Sequence, residues 1–251
     1  MRRDILNIIL LQTVLIFSLE ANDINISLMN SSSLANNILK KSYQYIGSLD
    51  KFSFEATLTN EDIYGDEMVI ELKHYITAHV DRPYNIKIDM YGDTKNRVYY
   101  LNRDIFTIYD RDLQLYSTIK VPEMIDKSLD FIYEKYRVET PLANILYSDI
   151  ATRIMPKVNG NYFGTDVVDG ILCHYLGFSD NNKSYQVWIE KGDRPLIIKF
   201  VIIDKSTPLR LHSTSRIKWR IENDFSNEIF KFNPTKNIHQ ISSIISQGGK
   251  I

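Results

Sequence analysis

From Phe52 onward the chain alternates apolar and polar residues with a period of two. Phe52, Phe54, Ala56 and Leu58 alternate with Ser53, Glu55, Thr57 and Thr59. Met68, Ile70, Leu72, His74, Ile76, Ala78 and Val80 alternate with Glu71, Lys73, Thr77 and His79, and Tyr84, Ile86, Ile88 and Met90 alternate with Asn85, Lys87 and Asp89. Three such runs in succession, each apolar on one face, predict an antiparallel meander. RVYYLNRDIFTIYDRDLQLYSTIK continues it in shorter strands joined at LNRD and DRDL. Ahead of the strands, SSSLANNILKKSYQYIG has helical spacing. Leu34, Ile38 and Tyr45 make one stripe, with Leu39, Tyr43 and Ile46 beside it; Ser32 or Ser33 can cap the start and Gly47 closes the end.

The middle of the chain changes period. In VPEMIDKSLDFIYEKY, Ile125, Leu129, Ile132 and Tyr136 fall at helical spacing behind Pro122. TPLANILYSDIATRIM follows, with Thr140 and Pro141 as a helix start, Leu142, Ile145 and Leu146 as its apolar stripe, and Asp149 as the cap of another short helix. Strands then return as NYFGTDVV, ILCHYLGF, SYQVWIEK, PLIIKFVIID, TPLRLHST and SRIKWRIEND, with VDG and KGD as hairpin turns. The order helix, strands, helices, strands, without a repeat or an interdomain linker, predicts an α+β domain built on one large antiparallel sheet.

The N-terminus stands outside this pattern. MRRD followed by an apolar run from Ile5 to Leu19 has the charge and length of a secretory signal, the alternative being a membrane anchor. Ala21 is the expected last residue of the leader. The expected organisation is therefore residues 1–21 as signal peptide, 22–238 as one domain and 239–251 as a fraying tail, in a periplasmic protein without an integral membrane segment in its mature chain. Lys and Arg number 30 against 31 Asp and Glu, so no basic excess draws the chain to nucleic acid. A single cysteine permits no intrachain disulfide, and stability must come from packing.

Catalytic chemistry finds little purchase. Cys173 and His174 are adjacent on a strand, and adjacent strand residues point to opposite faces, so they cannot form a nucleophile–base pair. Cys173 reads as a small apolar residue in a packed sheet, and Asp169–Gly170 as turn chemistry. His74 and His79 have opposite parity. The sequence carries no HExxH, CxxC, GxSxG or phosphate-loop motif, and no cofactor or metal is expected. Arg216, Lys218 and Arg220 share one strand face, which reads as a solvated exterior.

A long sheet with one apolar face must cover that face. Curled around a few helices, it encloses either a packed core or an apolar cavity, and periodicity does not distinguish the two. RPYNIKIDMYGD, VYYLNRDIFTIYD, TPLANILYSD, VVDGILCHYLGF, VWIEKGDRPLIIKFVI and FKFNP, in that order from about Leu39 to Pro234, resemble a bacterial family of predicted periplasmic proteins of unknown function. That family is similar in turn to the LolA-like lipoprotein carriers. The resemblance implies a curved antiparallel sheet, a half-barrel closed by a few helices, and a lipid or lipoprotein acyl chain as ligand. The chain departs from the carriers in the long helical stretch between its two strand blocks, which either enlarges a lid or plugs the cavity. The expected cavity wall is Phe52, Phe54, Ile70, Leu72, Ile76, Ile86, Ile88 and Phe106, and the expected lid is Ile125, Leu129, Leu142 and Ile145. On that reading Leu72→Asp abolishes acyl binding. The alternative is a protein-interaction or envelope-sensor module of the same fold, with a filled core and an envelope partner protein.

Overall fold

A computed structural model of the chain describes residues 31–65, 68–138, 140, 142–221 and 225–242. The leader, Pro141 and the end of the tail lie outside the described residues. Helix α1 spans 31–48. Six strands follow: β1 (Lys51–Tyr64), β2 (Met68–Asp81), β3 (Asn85–Gly92), β4 (Asn96–Asn102), β5 (Ile105–Asp110) and β6 (Leu115–Lys120). Helices α2 (Ile125–Tyr136), α3 (Ala143–Leu146) and α4 (Ile150–Arg153) come next. The second strand block is β7 (Asn161–Val168), β8 (Ile171–Ser179), β9 (Lys183–Glu190), β10 (Ile197–Asp204) and β11 (His212–Arg220). A 3₁₀ turn (Asn227–Phe230) and the short β12 (His239–Gln240) close the described chain.

All twelve strands belong to one sheet in the order β12-β6-β5-β4-β3-β2-β1-β11-β10-β9-β8-β7. Every pairing is antiparallel except β12 with β6. The two meanders join where β1 pairs with β11, which sets Phe54 opposite Trp219 and Ala56 opposite Ile217. Both indole neighbours are aromatic: Trp219 lies 5.8 Å from Phe52 and 5.3 Å from Phe54 between ring centroids. The order puts β6 and β7, consecutive in sequence, in opposite halves of the sheet. The connection between them must cross the sheet, and it carries α2, α3 and α4. The long intervening stretch noted in the sequence is thus the cover of the buried face.

Alternation decides which face that is. Register aligns Phe54, Ala78, Ile88, Tyr99 and Ile108 across β1 to β5, and Phe52, Val80, Ile86, Leu101 and Phe106 in the next row. All ten are buried. They join α1 and α2 side chains in one continuous core that includes Leu39, Ile46, Ile125, Leu129 and Ile132. The outer face of β4–β6 is covered by the C-terminal segment, where Phe232 packs on Tyr100, Tyr109 and Tyr116 at centroid distances of 5.4, 5.5 and 4.9 Å. Residues 239–240, assigned to the tail from sequence, pair with β6.

Several local expectations are corrected. Ser32 and Ser33 are already helical, so neither caps α1; the hydroxyl of Ser31 instead accepts from the Tyr162 amide at 3.0 Å, tying the helix to β7. The buried stripe of α1 is Ala35, Leu39, Ser42, Tyr43 and Ile46, and Leu34 is exposed. α1 runs through Gly47, whose missing side chain admits the Ser148 carbonyl. α3 starts at Ala143, after Leu142 in a left-handed conformation (φ 55°). Asp149 precedes α4 but does not cap it, because its carboxylate is held by Arg153 at 2.9 Å.

Arg82 joins the helical layer to the sheet. Its guanidinium donates to the carbonyls of Ile46, Gly47 and Leu49 at 2.8, 3.2 and 2.5 Å, and to those of Ile145, Leu146 and Tyr147 at 3.4, 3.1 and 3.2 Å. These carbonyls end α1 and α3, where the last turn of a helix leaves acceptors without intrahelical donors and concentrates negative partial charge. Burial lowers the Arg82 pKa to about 10, with Asp126 and Asp50 opposing the shift, so the group stays charged at neutral pH. Arg153 secures the other side: it donates to Asp130 and Asp149 and stacks on Tyr147 at 4.0 Å from the ring centroid.

Arg82→Ala leaves buried carbonyls without a donor. It is expected to destabilise the fold by about 3 kcal/mol in urea unfolding, and Arg82→Lys by about half that, since an ammonium cannot reach both helix ends. A loss below about 0.5 kcal/mol for Arg82→Ala would show that the clamp is not needed.

Candidate functional site

One break in the packing of the buried face lies over the second strand block. A cavity of about 420 Å³ is bounded below by Phe178 of β8, Tyr185 and Val187 of β9, and Ile197, Phe200 and Ile202 of β10. Register explains the floor: Phe178 pairs with Tyr185, Tyr185 with Ile202, and Val187 with Phe200, so these side chains emerge on one face. The roof is Leu39 and Tyr43 of α1, Asn144 and Ile145 of α3, and the segment from Ile154 to Val158. α1 reaches this position because its N-terminal turns rest on β7 and β8. A side chain at Gly160 would collide with the Phe178 ring and Ala35, so glycine there permits the close approach.

The lining is mostly aliphatic and aromatic, with a few polar groups. Tyr43 is 9% exposed, and burial, with Tyr185 nearby, raises its pKa to about 12. Among the described residues its hydroxyl has no protein hydrogen-bond partner. Tyr185 is also shifted up, by burial first and by Asp180 second. Asp180 at the margin is held below the usual carboxylate range by the amides of Lys183 and Asn182, which donate to it at 2.8 Å. Lys157, also at the margin, is exposed.

Of the side chains expected to form a wall and lid, only Ile145 lines this cavity. Phe52, Phe54, Ile76, Ile86, Ile88 and Phe106 do share one face, yet they are core, with Ile125 and Leu129 of α2 in the same cluster. The physical reason is the crossing helix, which fills the concavity over β1–β5. Leu142 is half-buried at the edge of that core. Ile70 and Leu72 are half-buried in the part of the β1–β2 hairpin that extends past its neighbours, since β3 pairs only as far as His74 and β11 only as far as Asn60. The alternation of SYQVWIEK and PLIIKFVIID carried the signal for the actual floor, because it matches that of β1–β3.

The cysteine is structural in its surroundings. Cys173 is fully buried opposite Asp166 and Glu190, and its thiol donates to the Ile171 carbonyl at 3.4 Å. His174 points to the other face, where Nδ1 lies 3.2 Å from the Tyr162 hydroxyl. His74 is bonded to Thr94 inside the sheet, whereas His79 packs edge-on against Phe225 outside. Among the described residues no group of three His, Cys, Asp or Glu is placed to hold a metal ion. On the outer face Arg216 pairs with Asp169 at 2.9 Å and Arg220 with Glu55 at 2.5 Å. A depression of about 560 Å³ there is bordered by Glu55, Asp169, Arg216 and Lys218. Among the described residues no helix is long and apolar enough to cross a membrane.

Burial, then Glu190 and Asp166, raise the Cys173 pKa from 9.0 to about 11. The folded state therefore binds the thiol proton more tightly than the unfolded state, and this contribution to stability is present below pH 9.0 and lost as pH rises through about 11. Urea midpoints across that window are expected to fall for the wild type more steeply than for Cys173→Ala. At pH 8 the native thiol is expected to resist a disulfide-exchange reagent and to react once the chain is unfolded.

No curated protein matches the sequence. Among solved structures, the chain is similar to an uncharacterized conserved protein from Thermus thermophilus, with 12% identity over 83% of this chain and 99% of that one, at a TM-score of 0.47. It is similar to the lipoprotein LppX of Mycobacterium tuberculosis, with 11% identity over 76% and 98% of the two chains, at a TM-score of 0.44. It is similar to a LolA superfamily protein from Nitrosomonas europaea, with 8% identity over 79% and 97%, at a TM-score of 0.34. The sequence from 35 to 244, which spans α1 through the strand that closes the sheet, matches one family throughout, and the chain belongs to that family, described as predicted periplasmic protein (DUF2092).

Proposed function

We propose that the protein is a periplasmic binding or carrier protein for a lipid or lipoprotein acyl chain, held between the floor of β8–β10 and the roof of α1, α3 and residues 154–158. The observation that carries this reading is the 420 Å³ cavity with its lining of Leu39, Ile145, Val187, Ile197 and Phe200. A volume of a few hundred Å³ with an apolar lining and few polar groups suits a small hydrophobic guest. Holding it needs no bond chemistry: each methylene transferred from water contributes about 0.8 kcal/mol. The roof segment between α4 and β7 has no regular structure and can move without breaking the sheet.

Native mass spectrometry of protein purified from the periplasm is expected to show a co-purified lipid. Val187→Trp, which fills the floor, is expected to remove that load while the protein stays folded. Leu72→Asp, off the cavity, is expected to keep it. Loss of the load in Leu72→Asp and its retention in Val187→Trp would refute this placement of the site.

A second reading, an envelope interaction module, is favoured by the tip of the β1–β2 hairpin. Ile63, Tyr64, Met68 and Val69 there are 39, 66, 57 and 42% exposed. Solvent-facing apolar side chains grouped on a projecting hairpin suit a partner surface. A photo-crosslinking side chain at Tyr64 is expected to capture a discrete envelope protein in cells, and one at the equally exposed Leu113 is not.

A further inference from the structure

The cavity has a size and a polar group that narrow the guest, given the carrier reading above. A cavity of about 420 Å³ lies toward the small end of ligand pockets, which favours a guest with one hydrocarbon chain over one with two or three. The polar group is the Tyr43 hydroxyl. The Tyr43 side chain is nine-tenths buried and borders the cavity, and its hydroxyl has no protein partner among the described residues. A guest bearing an acceptor gives that donor a partner.

Two further groups specify the acceptor. Tyr185 is a second phenol on the same lining, and Lys157 is an exposed cation at its margin that forms no ion pair among the described residues. The neighbouring Asp180 does not compete for them. Its carboxylate is already served by the amides of Asn182 and Lys183, and Lys205 sits close by. Two phenol donors and a cationic side chain on one lining match an anionic oxygen. We infer that the guest is a single-chain fatty acid, with its hydrocarbon along Leu39, Val187 and Phe200 and its carboxylate accepting a hydrogen bond from the Tyr43 hydroxyl.

The test is calorimetric titration of delipidated mature protein with straight-chain fatty acids of increasing length, with the methyl ester of one of them, and with a dipalmitoyl phospholipid in detergent. Affinity for the acids is expected to rise about fourfold per added methylene and to level off once the chain outgrows the cavity. Tyr43→Phe, which keeps the ring, is expected to weaken the acid about tenfold and the methyl ester by less than about threefold. The unfolding temperature of ligand-free Tyr43→Phe is expected to equal that of the wild type, because the hydroxyl bonds no protein group among the described residues. Equal affinity of wild type and Tyr43→Phe for the acid overturns the inference, as does a preference for the dipalmitoyl lipid. A lowered unfolding temperature in Tyr43→Phe also overturns it, by showing that the hydroxyl serves the fold. If the ester or the diacyl lipid binds while the acid gains nothing from Tyr43, the carrier reading stands and this inference alone falls. If none of the probes binds, both fall.

Discussion

The pairing of β1 with β11 is the constraint on which the rest of the molecule depends. Without that seam the two meanders would be separate sheets, each with an exposed apolar face. With it, β6 and β7 are placed in opposite halves of one sheet, and the chain between them has to travel across. A polypeptide crossing an apolar face must satisfy its own backbone hydrogen bonds, and helices do that while presenting an apolar stripe downward. Ile125, Leu129 and Ile132 of α2 form that stripe. The helical layer is therefore a consequence of strand order.

Short helices bring a cost, because their terminal carbonyls are exposed to a low-dielectric interior. α3 has four residues, and α1 ends beside it. Arg82 answers both ends at once, with six carbonyl contacts and, among the described residues, no carboxylate at ion-pair distance. A planar fork of five donors suits such a task better than a point charge. The residue follows directly on β2, so the clamp ties the helical layer to the middle of the sheet. Its location also separates two regimes: on the β1–β5 side the concavity is filled, and on the β8–β10 side it is spanned by α1, α3 and the segment before β7, leaving a cavity.

That asymmetry links fold to function. A concave sheet filled along its whole length would have no room for a guest, and one covered nowhere would not be stable in water. Here the filled half supplies the core, and the spanned half supplies a space bordered by groups that α1 and α3 carry. The two phenols lie on opposite walls of the hollow, Tyr43 on the roof and Tyr185 on the floor.

Alternation along Phe52–Leu58, Ile76–Val80 and Ile86–Met90 was enough to predict the long strands and their common buried face, and the spacing of Ile125, Leu129 and Ile132 the helical insert, because side-chain period is a local property of the backbone. The same local logic separated Cys173 from His174 and His74 from His79. It could not place the cavity. Phe52 and Val187 both follow an apolar strand pattern, and nothing in either run says whether a helix lies over it. The capping roles assigned to Ser32 and Asp149 failed for a related reason, since distant partners, Tyr162 near the start of α1 and Arg153 with Asp130, reorganised those helix ends. Sequence by itself determined the elements, the oily face and the class of fold, all set by neighbours along the chain. Which half of that face stays hollow, and that Tyr43 borders it, was decided by the tertiary structure alone, because it depends on where strand order sends the crossing helices.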